Sequence, residues 1–165
     1  FENAKKRYQT FMKKTKDIIN DNSYKLCFFH WSLPHSPFFY NSKINDFVNK
    51  KSTYTENLAL LDKTIKEIRL SMMKKKQWEN SIIIITSDHQ LRDNMNSLNN
   101  EEKEICKKRE KHLIPFIVKI PNSKPCIYDK TFHACILKDM VLNMLQGKIT
   151  NNKDLCEFID ENRIQ

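Results

Sequence analysis

The stretch SIIIITSDHQLR, residues 81–92, decides the fold prediction, because four consecutive isoleucines lead into an adjacent aspartate and histidine. A continuous β-branched run bounded by polar residues is typical of a strand buried on both faces in an α/β sheet. Such strands deliver the residues at their carboxyl ends to the ligand-binding edge of the sheet. Asp88 and His89 therefore have two interpretations, as metal ligands or as a hydrogen-bonded structural corner, and the motif alone leaves both open.

The composition sets limits on the class of protein. A chain of 165 residues with 39% hydrophobic content predicts one globular domain with a hydrophobic core. No apolar run reaches the length of a membrane-spanning helix, since the clean runs, such as residues 82–85, are only four residues long. Five cysteines form no CxxC pair, and their odd number argues against a closed set of disulfides, so we interpret them mostly as packing residues.

The net charge of +9 has two interpretations. One is an anionic partner, either a nucleic acid or a phosphorylated or sulfated substrate. The other is a compositional bias, which we favour because the lysines are scattered through every segment with no arginine-rich or aromatic-interleaved stripe. The basic run KKREK at 107–111 is then a solvated helix face, and no nucleic acid partner is expected.

Helices and strands alternate along the chain. Apolar periodicity and turn residues predict helices at 4–20, 54–73 and 134–146, strands at 25–31, 81–87 and 113–121, and a polar segment at 93–111 with a short helix from Glu101. Gly147, the only glycine, is expected to close the last of these helices. This order predicts a single α/β domain over residues 1–165, with the three strands as neighbours in one sheet.

Four segments occur in an order that resembles a known family. They are HWSLPHSPFFY at 30–40, a helix beginning YTENLALL at 54, TSDHQLR at 86–92 and HLIPFIVKIP at 112–121. Together, over roughly residues 25–160, they resemble the C-terminal half of sulfatase-like hydrolases of the alkaline phosphatase superfamily. The resemblance implies a three-layer α/β fold, a sheet with helices on both faces, of which this chain forms a C-terminal part.

The resemblance also implies a site. Asp88 and His89 match the metal-ligand pair of the family's Ser-Asp-His segment, and a carboxylate beside an imidazole suits a divalent ion such as zinc, manganese or calcium. His30 and His35 match the loop histidines, which are expected to contact the anionic ester or to protonate the leaving group.

Further residues are weaker matches. Arg92 and Lys119 are candidates for binding the phosphate or sulfate oxygens. His133 is expected to act at the start of the last helix rather than as an additional ligand. Gln90 stands where many relatives have glycine, so a turn that needs a positive φ at this position would be strained.

The functional hypothesis is a metal-dependent sulfatase-like hydrolase or transferase acting on a phosphate or sulfate ester. The resemblance places the nucleophile and the first acidic ligands on earlier strands with no counterpart in these residues, so we expect an incomplete catalytic set and no hydrolysis by this chain alone. The alternatives are an inactive family remnant used for binding and a basic module that binds anions or nucleic acid. The resemblance leaves an extracytoplasmic or membrane-associated location open.

Overall fold

The computed structural model describes residues 1–50, 52–91, 98–108 and 112–163. The chain divides into two compact units. The first unit comprises Phe1–Trp78 with Asp88–Ile114, and the second comprises Glu79–Ser87 with Pro115–Gln165. The mixture of helices and small sheets agrees with the predicted α/β class.

The first unit is built mainly from helices. It contains α1 (Glu2–Ile19), the antiparallel hairpin of β1 (Tyr40–Asn41) and β2 (Asp46–Phe47), α2 (Tyr54–Lys74) and α3 (Asn100–Lys108). All three helices were predicted from the sequence, within one or two residues at the ends that can be compared.

Helix α2 begins at a cap that the sequence encodes. The Thr53 side chain accepts a hydrogen bond from the Glu56 backbone N–H, which satisfies one of the donors left unpaired in the first helical turn. The predicted apolar stripe is made of Leu58, Leu61, Ile65, Ile68 and Met72. The structure instead buries the face of Asn57, Leu60 and Thr64 most deeply, together with Met72, while Leu58 keeps 45% of its surface exposed.

This polar burial is possible because each polar group on that face has a partner. The Thr64 hydroxyl donates to the Leu60 carbonyl at 2.7 Å and accepts from the Tyr8 hydroxyl at 3.0 Å. The same face packs Leu60 against Phe39 and Tyr40, the buried core of the first unit. The spacing of apolar residues therefore predicted α2 correctly but did not predict which face of the helix is buried.

The second unit contains the isoleucine strand. Strand β3 (Ile83–Thr86) pairs antiparallel with β4 (Phe116–Lys119), with Ile83 opposite Lys119 and Thr86 opposite Phe116. A 3₁₀ turn (Ala134–Ile136), α4 (Leu137–Leu145) and α5 (Asn152–Asn162) follow. Apolar side chains of these elements and of the segments next to them form the core of this unit, which consists of Ile120, Ile136, Met140, Ile149, Leu155 and Ile159.

Two strand predictions were wrong. No strand forms at 25–31, where Leu26 is 58% and Phe28 87% exposed, and the described residues give that backbone no ladder partner. A strand is defined by such a partner, so a β-type composition alone does not produce one. The isoleucines at 83–85 are half-buried in a two-stranded sheet rather than buried on both faces.

Two helix ends in the second unit are each set by a single residue of the sequence. Gly147 adopts φ +70°, and the Lys148 N–H donates to the Asn143 carbonyl at 2.9 Å, which closes α4 with a left-handed cap as predicted. Helix α5 was not predicted. Its N-cap is Asn151, whose side chain accepts from the N–H groups of Lys153 and Asp154.

The cysteine prediction was also wrong for most positions. Only Cys106 is buried, whereas Cys156 is half-buried and Cys27, Cys126 and Cys135 are exposed. The described helices include none that is both long enough and apolar enough to cross a bilayer.

Candidate functional site

Four sequence-predicted residues of the first unit lie close together. The Nε2 atoms of His35 and His89 are 3.3 Å apart. The carboxylate of Asp88 lies between two imidazoles, with Oδ1 4.0 Å from His89 Nε2 and Oδ2 4.0 Å from His30 Nε2. The proline-bearing loop and the segment that follows β3 in the chain thus bring three histidines and one aspartate into one cluster.

The protonation of His89 follows from its hydrogen bond to the backbone. His89 Nδ1 lies 2.6 Å from the Gln90 carbonyl oxygen, which only accepts hydrogen bonds. Nδ1 therefore carries a proton, and in the neutral ring Nε2 has a lone pair. The His35 Nε2–H donates to that lone pair. The His89 Nε2 atom that faces the cluster is therefore an unprotonated imidazole nitrogen, the kind that binds metal ions.

Asn57 positions the loop that carries His35. Its side chain is fully buried, and its Nδ2 donates to the carbonyls of His35 at 3.1 Å and Pro37 at 3.3 Å. Its Oδ1 accepts from the Phe39 N–H at 3.1 Å. One amide on α2 therefore fixes three backbone groups of the loop, which holds the His35 backbone against the helix.

Aromatic packing fixes the segment next to His30. The Trp31 ring lies 4.6 Å from the Phe11 ring and 5.7 Å from the Tyr8 ring, measured between centroids. Phe11 and Tyr8 both project from α1. Burial raises the pKa of the Tyr8 hydroxyl, and the hydrogen bond to Thr64 partly opposes this effect. Helix α1 thus supports the residue adjacent to His30, although the His30 side chain itself is 71% exposed.

Gln90 does not have the strain that its replacement of glycine suggested. The described residues with positive φ are Asn45, Lys76, His112, Asn122 and Gly147, and Gln90 is not one of them. Its side-chain carbonyl accepts a hydrogen bond from the His112 N–H. Gln90 therefore contacts His112 through its side chain and His89 through its backbone carbonyl.

The cluster offers a divalent ion two donor types that such ions accept, a carboxylate oxygen and an imidazole nitrogen. The 3.3 Å separation of the His35 and His89 Nε2 atoms is that of the hydrogen bond between them, so the pair to compare with an ion's ligands is Asp88 and His89. The Asp88 oxygen is 4.0 Å from His89 Nε2, about the largest separation that two bonds of roughly 2 Å to one ion can span. Across the described ranges, no three His, Cys, Asp or Glu side chains already converge on a position for a metal ion.

The other candidate residues lie elsewhere. Arg92 falls outside the described residues. Lys119 belongs to the second unit, where its ammonium donates to the carbonyls of Glu79 and Ser81, each at 3.0 Å, and where burial lowers its pKa. His133 accepts from the Cys135 N–H through Nδ1 and caps the 3₁₀ turn before α4, in agreement with the helix-start interpretation.

Sequence reasoning missed the role of Asn57. The residue was noted only as part of the YTENL start of the helix. An amide one position from the apolar stripe of a helix was the available indication, because a buried polar side chain must find hydrogen-bond partners. Which backbone groups it would hold depends on the path of the loop, which the helix sequence does not contain.

A sulfatase family model matches residues 3–141. No curated protein and no solved structure matches the chain. The match begins near the start of α1, well before residue 25, so the family likeness includes the helix that supports Trp31. Sulfatase family members act on anionic esters and generally use a divalent metal ion. The motifs, the clustered histidines and this match agree, and the chain belongs to the sulfatase family.

Proposed function

We propose that this chain forms the ion-binding and ester-facing part of a metal-dependent hydrolase or transferase that acts on a phosphate or sulfate ester. The observation that carries the proposal is the 3.3 Å approach of His35 to His89, supported by the 4.0 Å separation of Asp88 from His89. These residues come from the two motifs that resemble the family's loop histidines and metal ligands.

Asp88 and His89 are the proposed ligands of a divalent ion. Such an ion stabilises the negative charge that develops on the ester oxygens during displacement. The chain's own contribution is orientation, because the bond from His89 Nδ1 to the Gln90 carbonyl directs the Nε2 lone pair toward His35 and Asp88. Zinc and manganese both accept this mixed nitrogen and oxygen donor pair.

His30 and His35 are the proposed ester-facing residues. The His35 Nε2–H now donates to the His89 lone pair. Once that lone pair is engaged by an ion, this N–H has no acceptor within the pair and becomes available to an ester oxygen. A protonated imidazole at this position is suited to donating its proton to a leaving group. His30, beside the Asp88 carboxylate, has the same chemistry in a more exposed position.

The remaining parts of the proposal follow the family resemblance. We place residues 1–165 in the C-terminal part of one catalytic domain with a three-layer sheet, in which the nucleophile comes from a strand that precedes these segments. Arg92 is the proposed contact to the ester oxygens. Lys119 keeps this role only if its ammonium leaves the carbonyls of Glu79 and Ser81.

The test compares Asp88→Ala and His89→Ala with two matched controls in the full-length natural protein. The controls are Asp17→Ala, an exposed aspartate on α1, and His133→Ala, a histidine of the second unit. After dialysis against zinc or manganese, bound metal and ester hydrolysis should fall together in the two site variants and stay at the unsubstituted level in the controls. A site variant that keeps its metal but melts at a lower temperature would instead identify a structural corner.

A further inference from the structure

The segment that follows β4 runs alongside α5 in the second unit. The Asn152 side-chain N–H donates to the Lys124 carbonyl at 2.5 Å, near the start of the helix. Further along, the Tyr128 hydroxyl donates to Asp160 Oδ1 at 2.9 Å. Lys130 adds an ion pair to the same carboxylate at 2.8 Å. The segment and the helix therefore run in the same direction and are joined at both ends.

The spacing of these bonds sets two cysteines opposite each other. The contacts from 124 to 152 and from 128 to 160 make four residues of the segment cover about 12 Å of helix, which is close to the advance of an extended chain, roughly 6.6 Å for two residues. Four residues advance a helix by about 6 Å. Every two residues of the segment therefore lie beside every four residues of the helix. Residue 124 lies beside 152 and 128 beside 160, so Cys126 lies beside Cys156.

Side-chain exposure supports this pairing. Neighbouring side chains of an extended segment point to opposite sides. Ile127 is 95% exposed. Tyr128 contacts α5 through Asp160, so Cys126, two residues earlier in an extended segment, lies on the same side although it remains exposed. Cys156 is half-buried, and the nearby Cys126 thiol is among the groups that raise its pKa. The five cysteines are all reduced in this structure.

We propose that Cys126 and Cys156 form a disulfide under oxidising conditions and thereby clamp the 122–130 segment onto α5. The oxidant is a low-molecular-weight disulfide such as oxidised glutathione. The Cys126 thiolate attacks one of its sulfur atoms, forming a mixed disulfide and releasing one thiolate. The Cys156 thiolate then attacks Cys126 Sγ, which forms the protein disulfide and releases the second thiol. Two protein thiols lose two electrons and two protons in total, and the oxidant is reduced to two thiols.

The exposed Cys126 is the residue that meets the oxidant first. Burial, followed by the neighbouring Cys126 thiol, raises the pKa of Cys156, which disfavours its thiolate. The bond closes a loop of about 30 residues that contains the 3₁₀ turn, α4 and the start of α5. Cross-linking a loop of this size restricts the unfolded chain and is expected to favour the folded state roughly a hundredfold or more.

The experiment exposes the folded protein to oxidised glutathione, blocks the remaining thiols and digests it with trypsin without reduction. Because trypsin does not cut before Pro125, Cys126 lies in the peptide 120–130 and Cys156 in 154–163. The two should appear linked, with a mass two hydrogens below their sum, while Cys135 in 131–138 is alkylated. A glutathione adduct on Cys126 without the linked peptide, or linkage to another cysteine, would overturn the disulfide.

Thermal melting with and without a reductant tests the clamp. The oxidised protein should melt several degrees higher than the reduced protein. This difference should be lost in Cys126→Ser and in Cys156→Ser and retained in Cys135→Ser, an exposed cysteine outside the pair. If the linked peptide forms but the melting temperature is the same in both redox states, the clamp is refuted.

Discussion

The Nε2 atoms of His35 and His89 lie 3.3 Å apart although 54 positions separate the two residues in the chain. Their contact depends on a loop whose own sequence forms no helix or strand between residues 31 and 39. A loop of this kind holds its position only if its backbone groups have partners elsewhere. Asn57 supplies them, which makes a residue on α2 responsible for the geometry of a site that it does not enter.

Replacing Asn57 with alanine should therefore weaken both the fold and the site. The change leaves the Phe39 N–H and the carbonyls of His35 and Pro37 without their partner, and a buried unsatisfied group costs about 1–3 kcal/mol. We expect a loss of about 3 kcal/mol in the free energy of unfolding, measured by urea denaturation. Zinc affinity, measured by titration calorimetry below the melting temperature, should also fall.

The matched control for this prediction is Leu58→Ala. Leu58 is adjacent on the same helix but 45% exposed, so its truncation should cost much less and leave zinc affinity unchanged. Asn57→Asp separates the two functions of the amide, since it keeps the acceptor for Phe39 and loses the two donors. If Asn57→Ala loses stability but binds zinc normally, Asn57 does not position the site.

Glu102 makes the stability of the first unit depend on pH. This buried carboxylate accepts hydrogen bonds from the Thr55 N–H and hydroxyl at 2.8 Å and from the Asn99 N–H at 3.0 Å. Burial raises its pKa, but these hydrogen bonds outweigh burial and hold the pKa below its ordinary value. The stabilisation is therefore present above the unfolded-state pKa of about 4.3 and is lost as pH falls through the lower folded-state pKa.

Glu102→Gln should remove this pH dependence. Near pH 7 the variant should be less stable by roughly 1–3 kcal/mol, because charged hydrogen bonds at two helix starts are replaced by neutral ones. The difference from the unsubstituted protein should shrink as pH falls below about 4. Urea denaturation at pH 7, 5 and 3 measures it, with the exposed Glu101→Gln as control. A difference that is the same at all three pH values would contradict the assigned cause.

The sequence predicted local structure better than it predicted pairing. The start of α2 and the end of α4 follow from residues beside those helices, Thr53 and Gly147. A strand depends on a partner that its own sequence does not specify, which explains why the β-type composition of 25–31 was misleading. Helix α5 was missed although Asn151, with Asp154 three residues later, is a capping pattern.

The same difference between local structure and contacts of distant segments applies to the candidate site. His30, His35, Asp88 and His89 were expected at the carboxyl ends of two predicted strands. The strand at 25–31 does not form, so the contacts between these residues depend on a loop and on the segment after β3, and periodicity alone gives no distance between such segments. The roles assigned to these four residues remain predictions. Lys119 shows what motif matching omits, since a lysine on a strand is equally able to donate to nearby backbone carbonyls as to a ligand.

Lys119→Met tests whether this lysine is structural. The methionine keeps most of the alkyl chain but leaves the carbonyls of Glu79 and Ser81 without the ammonium. We expect about 1 kcal/mol less stability, a value kept low because the side chain is only half-buried. KM for an ester substrate of the full-length protein should not change. Lys138→Met, on the exposed face of α4, is the control, and a raised KM with unchanged stability would favour substrate binding instead.

Gly147→Ala isolates the cost of a left-handed backbone conformation. Gly147 has φ +70°, and a Cβ placed there meets no atom within 4 Å, so the substitution introduces no steric clash with the rest of the protein. The left-handed conformation costs an L-residue about 1–2 kcal/mol, and we expect a loss of stability of this size, or a melting temperature lower by roughly 2–8 °C. Gly147→Asn should lose less, because asparagine tolerates this region better than alanine. Thermal melting of the three proteins measures the order. The N–H groups of Gly147 and Lys148 donate to the carbonyls of Met144 and Asn143, and this pair of bonds requires a left-handed residue at 147. Equal melting temperatures for the glycine and alanine proteins would therefore show that α4 ends in another way.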